Sequence, residues 1–216
     1  MLPSLWERVA GTRAVEWGVE RADGKFEFTP EMERCWRWKD ELPARGLACV
    51  GKHLGRWQAL VAPRLVPALH ALAAERREAL GSLEREVAGA VEQAGPSTGP
   101  QLRELLGADK KAVDRAVVAL QRAFVLTNAG VVAQAQGWPA IAVDLVERRF
   151  PVGGVDDPAR EAAACVLASS GEVSAADLGG ALGWRLKAAR ELLDALAGDG
   201  AVRRRVADGL PLYRAI

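Results

Sequence analysis

The chain has few of the residues from which catalytic and metal sites are built. Among 216 residues there are 3 cysteines, 2 histidines and 1 tyrosine. Cys35, Cys49 and Cys165 are too few and too scattered for a disulfide framework and read as reduced thiols. With only His53 and His70 beside them, no metal-ligand spacing exists, so neither metal nor cofactor is expected. No Ser/His/Asp or Cys/His arrangement can be assembled from neighbouring residues. Both histidines lack a carboxylate partner at motif spacing and read as structural.

Long apolar runs are missing too. No window approaches the roughly 18 uninterrupted apolar residues of a membrane span. The opening Met1-Leu2-Pro3-Ser4-Leu5-Trp6-Glu7-Arg8 lacks the basic start and apolar segment of a secretory signal. A cytoplasmic protein with no membrane partner is the resulting expectation. Net charge is also nearly absent, with 29 Lys+Arg against 28 Asp+Glu, a sum of +1. Cations number 13 against 11 anions in residues 1–80, 8 against 8 in 81–150, and 8 against 9 in 151–216. No global field draws the protein onto a polyanion, so any nucleic-acid role depends on locally placed cations.

The apolar half of the composition, 50% hydrophobic with 26% charged, excludes wholesale disorder and allows one or two domains, or three small ones. An internal repeat organises the later part. A shift of 76 residues lays 95–126 on 171–202 without a gap, bringing Gly95 onto Gly171, Thr98 onto Ser174, and Leu102 onto Leu178. The same shift brings Leu106 onto Leu182, Gly107 onto Gly183, Ala112 onto Ala188, Ala119 onto Ala195 and Leu120 onto Leu196. The matched residues are a helix cap, a core leucine pair and a helix-ending glycine.

Each copy predicts three helices. The first covers about 83–94 or 157–169, the second about 99–106 or 175–182, and the third runs on to about 123 or 197. The glycine between the second and third gives helix-turn-helix geometry. A hairpin follows each third helix. In the second copy it is Ala201–Val206 and Leu210–Arg214 around Ala207-Asp208-Gly209. In the first it is Phe124–Thr127 and Val131–Gln134 around Asn128-Ala129-Gly130. The expected fold is therefore mainly α with small β-hairpins: winged helices at 81–150 and 157–216, joined by a Pro/Gly-rich linker.

Residues 1–80 carry five of the seven tryptophans and are expected to form a mixed α/β domain or a degenerate third winged helix. Asp23-Gly24 marks a turn before Phe26-Glu27-Phe28, and Thr29-Pro30 a helix start. Leu47–Val50 and Gln58–Val61 read as strands, with a helix from about Pro63 or Pro67 to Leu80. Trp36 and Trp38 share a face if their segment is extended, as aromatic core or as a base-stacking pair. Gly46-Leu47-Ala48-Cys49-Val50-Gly51-Lys52-His53 approaches a phosphate-binding loop, but His53 stands where the magnesium-ligating hydroxyl belongs. Its apolar interior suits a strand better.

The third helices are the expected DNA readers, since such a helix presents its N-terminal residues to the major groove. The candidates are Lys110, Lys111 and Arg115, with Arg122, in the first copy. In the second they are Arg185, Lys187 and Arg190 on the helix and Arg203 and Arg205 on the hairpin, where alternation leaves Arg204 on the other face. The bland alternative is a solvated face balanced by Asp109, Asp114, Glu191 and Asp194. Gln134-Ala135-Gln136 sets two amides on one face of a strand, as polar surface or as groups able to read base edges.

Residues 158–213 resemble one winged-helix module of the AlkZ-type (YcaQ-like) DNA glycosylases and their shorter AlkZ-related relatives. The likeness is carried by Gly171-Glu172-Val173-Ser174-Ala175-Ala176-Asp177-Leu178 and Leu182-Gly183-Trp184. It continues through Ala189-Arg190-Glu191-Leu192-Leu193 and Val206-Ala207-Asp208-Gly209-Leu210-Pro211-Leu212-Tyr213. Trp36-Arg37-Trp38-Lys39 and Val50-Gly51-Lys52 are similar to the short relatives as well. The resemblance implies a DNA-binding scaffold linked to damage handling. The full-length enzymes combine tandem winged helices with a β-barrel and excise alkylated bases with an early Gln-x-Gln motif. This chain is much shorter, and its Gln134 and Gln136 lie centrally, so a catalytic role does not carry over to them.

Three functions are compatible with these residues. The first is a non-enzymatic binder of double-stranded DNA, the second a glycosylase acting on alkylated bases. The third is a winged-helix interaction module, which suits a near-neutral chain and a homodimer.

Overall fold

The computed structural model describes residues 18–20, 23, 26–28, 30–54 and 58–216. These form a helix-rich mixed α/β protein with small antiparallel sheets. Strands β1 (Gly18–Glu20) and β2 (Phe26–Phe28) pair around Asp23, and helix α1 spans Pro30–Ala44. Because 36 and 38 lie in this helix, their backbone positions are about 200° apart rather than on the common face of a strand. Trp38 packs with Leu42, Ala48, Val50 and Leu60. Strands β3 (Cys49–Gly51) and β4 (Ala59–Val61) form a buried pair, so the apolar interior of the glycine-bounded run is in part a strand, as its composition suggested. A single 3-10 turn (Pro63–Leu65) then leads into α2 (Val66–Leu72) and α3 (Ala74–Glu78).

The next two stretches repeat one plan. Helices α4 (Ser82–Ala94), α5 (Gly99–Leu106) and α6 (Lys110–Arg122) have counterparts α8 (Pro158–Ser170), α9 (Ala175–Leu182) and α10 (Leu186–Gly198), each displaced by 76 residues. Local chemistry explains the shared bounds. Thr98 and Ser174 each close a capping box, with Gln101 and Asp177 reaching back to the cap. Gly107 (φ 62°) and Gly183 (φ 69°) end the short helices in the left-handed conformation that side chains disfavour. Buried Leu102, Val113 and Leu120 fill one core; Leu178, Ala189 and Leu196 hold the same places in the other.

A hairpin follows each third helix. In the second unit, β8 (Val202–Ala207) pairs with β9 (Leu210–Ala215) through a two-residue turn, and Val173 bridges to Tyr213. In the first unit, β6 (Leu126–Val132) pairs with β7 (Ala140–Leu145), and β5 (Ser97–Thr98) adds to β7. The turn expected at Asn128-Ala129-Gly130 is absent. These residues lie inside β6, where the register slips between Asn128 and Gly130. The hydrogen bonds explain why. Thr127 Oγ1 accepts from Val50 N (3.0 Å), and Asn128 Oδ1 accepts from Gln121 Nε2 (2.9 Å), so two turn-forming side chains are tied into the interior. The true turn is 133–139. Gln134 and Gln136 therefore sit in an exposed loop rather than on one strand face.

Residues 30–80 share their core with both repeats. Leu65, Val66 and Leu69 pack in one cluster with Ala162, Val166 and Leu167 of α8 and with Phe124, while the end of α1 lies on β6. Two arginines of α7 (Val146–Arg149) fasten the parts together. Arg148 donates to the carbonyls of Val91 and Glu92 at the end of α4, and Arg149 to those of Pro43 and Ala44 at the end of α1. Both guanidinium groups also flank the buried Asp144 carboxylate, at 2.5 Å and 3.7 Å. No helix among the described residues is long and apolar enough to cross a membrane.

Candidate nucleic-acid interface

The inward rows of α6 and α10 decide which side chains face out. Val113, Ala116 and Leu120 are buried in α6, which turns Lys111, Arg115 and Arg122 outward along one stripe. In α10, buried Ala189, Leu193 and Leu196 leave Lys187, Arg190, Glu191 and Asp194 on the exposed side. Helix α6 carries four cations and one anion, whereas α10 carries two of each. The first unit therefore holds the stronger local field.

The named cations divide by partner. Lys110 is bonded to Asp114 at 2.5 Å, Lys187 stands 3.8 Å from Glu191, and Arg205 grips Glu172 through two bonds of 2.7 and 2.5 Å. That grip holds the Glu172 carboxyl below its ordinary range, the Arg205 hydrogen bond being the main cause. Lys111, Arg115, Arg185, Arg190 and Arg203 form no ion pair among the described residues. Arg185 is the cap residue before α10, with no side-chain cap bond, so its guanidinium is exposed at the helix start. Of the balancing acids expected from the sequence, Asp114 and Glu191 pair with two of the eight cations, and a third cation, Arg205, is paired with Glu172, which was not among them.

Placement strengthens the case for the others. A cation at a helix N-terminus opposes the helix dipole and costs stability. Lys110, Lys111, Arg185 and Lys187 all occupy that unfavourable end, and of these Lys111 and Arg185 gain no ion pair among the described residues in return. On the hairpin, Arg203 lies opposite Arg214, a residue that sequence reasoning missed because only the strand register brings it there. Arg204, on the inward side, approaches Asp194 at 3.7 Å, and Asp194 also accepts from the Tyr213 hydroxyl at 2.6 Å. Burial, and then this hydrogen bond, push the Tyr213 hydroxyl upward.

Gln134 and Gln136 are exposed in the 133–139 loop, and Trp138 beside them is 83% exposed. His53 and Cys49 do meet, with Cys49 Sγ 3.3 Å from His53 Nε2, but in the interior. His53 Nδ1 donates to the Gln121 carbonyl (2.7 Å), which leaves Nε2 as acceptor for the thiol. Burial lowers the imidazole to about 4 and pushes the Cys49 thiol up to about 12. Both are neutral at pH 7, so the pair braces β3 against α6 and generates no thiolate. Among the described residues no three His, Cys, Asp or Glu side chains gather as metal ligands.

Architecture and surface together define a class: a helix-rich α/β protein that repeats a three-helix-and-hairpin unit and exposes cations at the third helices. The chain belongs to the AlkZ-related family, whose model matches residues 3–170. Its fold is similar to that of the Streptomyces sahachiroi DNA glycosylase AlkZ, with a TM-score of 0.57 at 16% identity. That match covers 97% of this chain but 62% of the glycosylase, so the chain spans under two thirds of the enzyme's length. A protein from Corynebacterium diphtheriae matches at 18% identity and a TM-score of 0.27, over 62% of this chain and 26% of that one. No curated protein matches the sequence.

Proposed function

We propose that this protein binds double-stranded DNA through two winged helices, 81–150 and 157–216, and serves in the handling of damaged DNA. The observation that carries the reading is the set of five cations at the third helices and second hairpin that form no ion pair among the described residues. Lys111 and Arg115 reach from α6, Arg185 and Arg190 from α10, and Arg203 from β8; Lys110, Lys187 and Arg205 can exchange their acids for phosphate at closer range. Near-neutral overall charge then keeps non-specific attraction weak, so contact depends on these sites. Membership of the AlkZ-related family and the fold likeness to a DNA glycosylase support DNA as the partner. Leu65, Val66 and Leu69 brace both units through the shared core.

The test is fluorescence anisotropy with a short labelled duplex over a range of salt. Five phosphate contacts give a slope of about −4.5 for log K against log salt. Arg185→Ala with Lys187→Ala, or Lys111→Ala with Arg115→Ala, should weaken binding on every sequence and flatten the slope. Absence of duplex binding at low salt and micromolar protein would end the proposal.

A second reading is favoured by the fold likeness to AlkZ across nearly the whole chain: excision of an alkylated base. Incubation with alkylated duplex and chromatography for free base tests it, with Gln136→Ala as the control. Release that matches the control counts against a role for the central amides.

A further inference from the structure

The two hairpins of the repeated unit are not equivalent, and the difference lies where the fold has no use for it. The second turns through two residues, Asp208-Gly209, and is lined by Arg203, Arg205 and Arg214. The first turns through seven, 133–139, and residues 123–143 contain no charged side chain at all. Its root is braced, because Gly130 (φ 120°) lies against Ala44 of α1 so closely that a Cβ would sit 3.0 Å from the alanine methyl. Beyond Gly130 it is bare. Val131, Val132 and Ile141 are 43–47% exposed, and Trp138 at the tip is 83% exposed. Gly137 (φ 85°) before the tryptophan and Pro139 after it restrict the backbone that presents the ring.

An exposed apolar group of this size marks a surface that meets a partner. Three features of the hairpin favour a nucleic-acid groove over a protein. Its exposed part carries no anion that phosphates would repel, Asp144 at the root being buried between Arg148 and Arg149, and it springs from α6, the more cationic of the two third helices. Its only polar side chains near the tip, Gln134 and Gln136, are amides, the donors and acceptors suited to the acceptor-rich minor groove. Apolar wedges flanked by amides enter that groove and open a base step.

Building on the proposed DNA binding, we infer that the 133–139 turn is a minor-groove wedge, with Trp138 inserted at a base step of the duplex. The cations of α6 and α10 hold the backbone. The uncharged outer part of the hairpin passes between the phosphate rows, and the indole replaces the stacking that the opened step loses. The preferred substrate is DNA whose stacking is already weak, at A·T-rich steps, mismatches or lesions, because the unstacking cost is lowest there.

Permanganate oxidation of thymine reads unstacking directly, and salt-dependent anisotropy reads phosphate contact. Wild-type protein on an A·T-centred duplex should raise thymine reactivity at the bound step. Trp138→Ala, which removes a side chain outside every core, should abolish that reactivity, weaken binding about tenfold and leave the salt slope unchanged. Trp138→Phe should keep the reactivity in part. Binding with thymines still protected, or equal reactivity with Trp138→Ala, would overturn the wedge and leave the DNA-binding proposal standing. A Trp138-dependent dimer in sedimentation, without thymine reactivity, would assign the tip to a protein contact and overturn it as well. Failure of wild type to bind the duplex at low salt would overturn both readings together.

Discussion

Gly107 and Gly183 form a matched pair from which one packing contact can be weighed. They occupy the same place in the two units, 76 residues apart, with φ of 62° and 69°. A Cβ built at Gly107 meets nothing within 4 Å, whereas at Gly183 it falls 2.6 Å from the Leu54 carbonyl oxygen. Alanine at either site bears the left-handed penalty, about 1 kcal/mol. At Gly183 the new methyl must also push aside the backbone that follows β3, adding about 2 kcal/mol in the manner of overpacking. Gly107→Ala should therefore lower Tm by about 3 °C and Gly183→Ala by about 9 °C, at roughly 3 °C per kcal/mol for a chain of this size. Scanning calorimetry on both variants measures the contrast. Equal losses would refute the claim that the Gly183 turn is seated on the Leu54 backbone.

Other expectations rest on single sites. His53 is 1% exposed with an imidazole lowered to about 4, so the unfolded chain binds its proton first and stability falls as pH drops from about 6.5 towards 4. Urea unfolding at pH 7 and 5 should show about 2 kcal/mol of such loss in wild type and markedly less in His53→Asn. Asp144→Ala leaves two inward guanidinium groups without their carboxylate, and a loss of about 3 kcal/mol in the same assay is expected. Iodoacetamide at mildly alkaline pH should leave Cys49 unmodified until denaturant is added, because burial pushes its thiol up to about 12, and peptide mapping reads the site.

The helices of the repeated unit were legible because their signals are local. Thr98 with Gln101, Ser174 with Asp177, and the two glycines 76 residues apart set the boundaries without help from distant chain. Extended structure was less so. Asn128-Ala129-Gly130 has the composition of a turn, yet Gln121 donates to the Asn128 side chain, Val50 holds the preceding Thr127, and the chain runs on as a strand. Trp36 and Trp38 lie in a helix because the segment from Pro30 carries its own helix start, against the aromatic strand reading. Of the candidate site, the cation positions were visible in the residues, but their partners were not. Arg205 is held by a glutamate 33 residues away, and Arg203 meets Arg214 only through the hairpin register. Arg148 and Arg149, four and five residues after Asp144, cap two earlier helices that no local pattern could have linked to them.

The salt dependence of duplex affinity tests the central proposal most directly, because free cations at the third helices act only by displacing counterions from phosphates. The expected slope is about −4.5, and it becomes shallower by about two when Lys111 and Arg115 are both alanine. A slope near zero, or one unmoved by that double substitution, would contradict it.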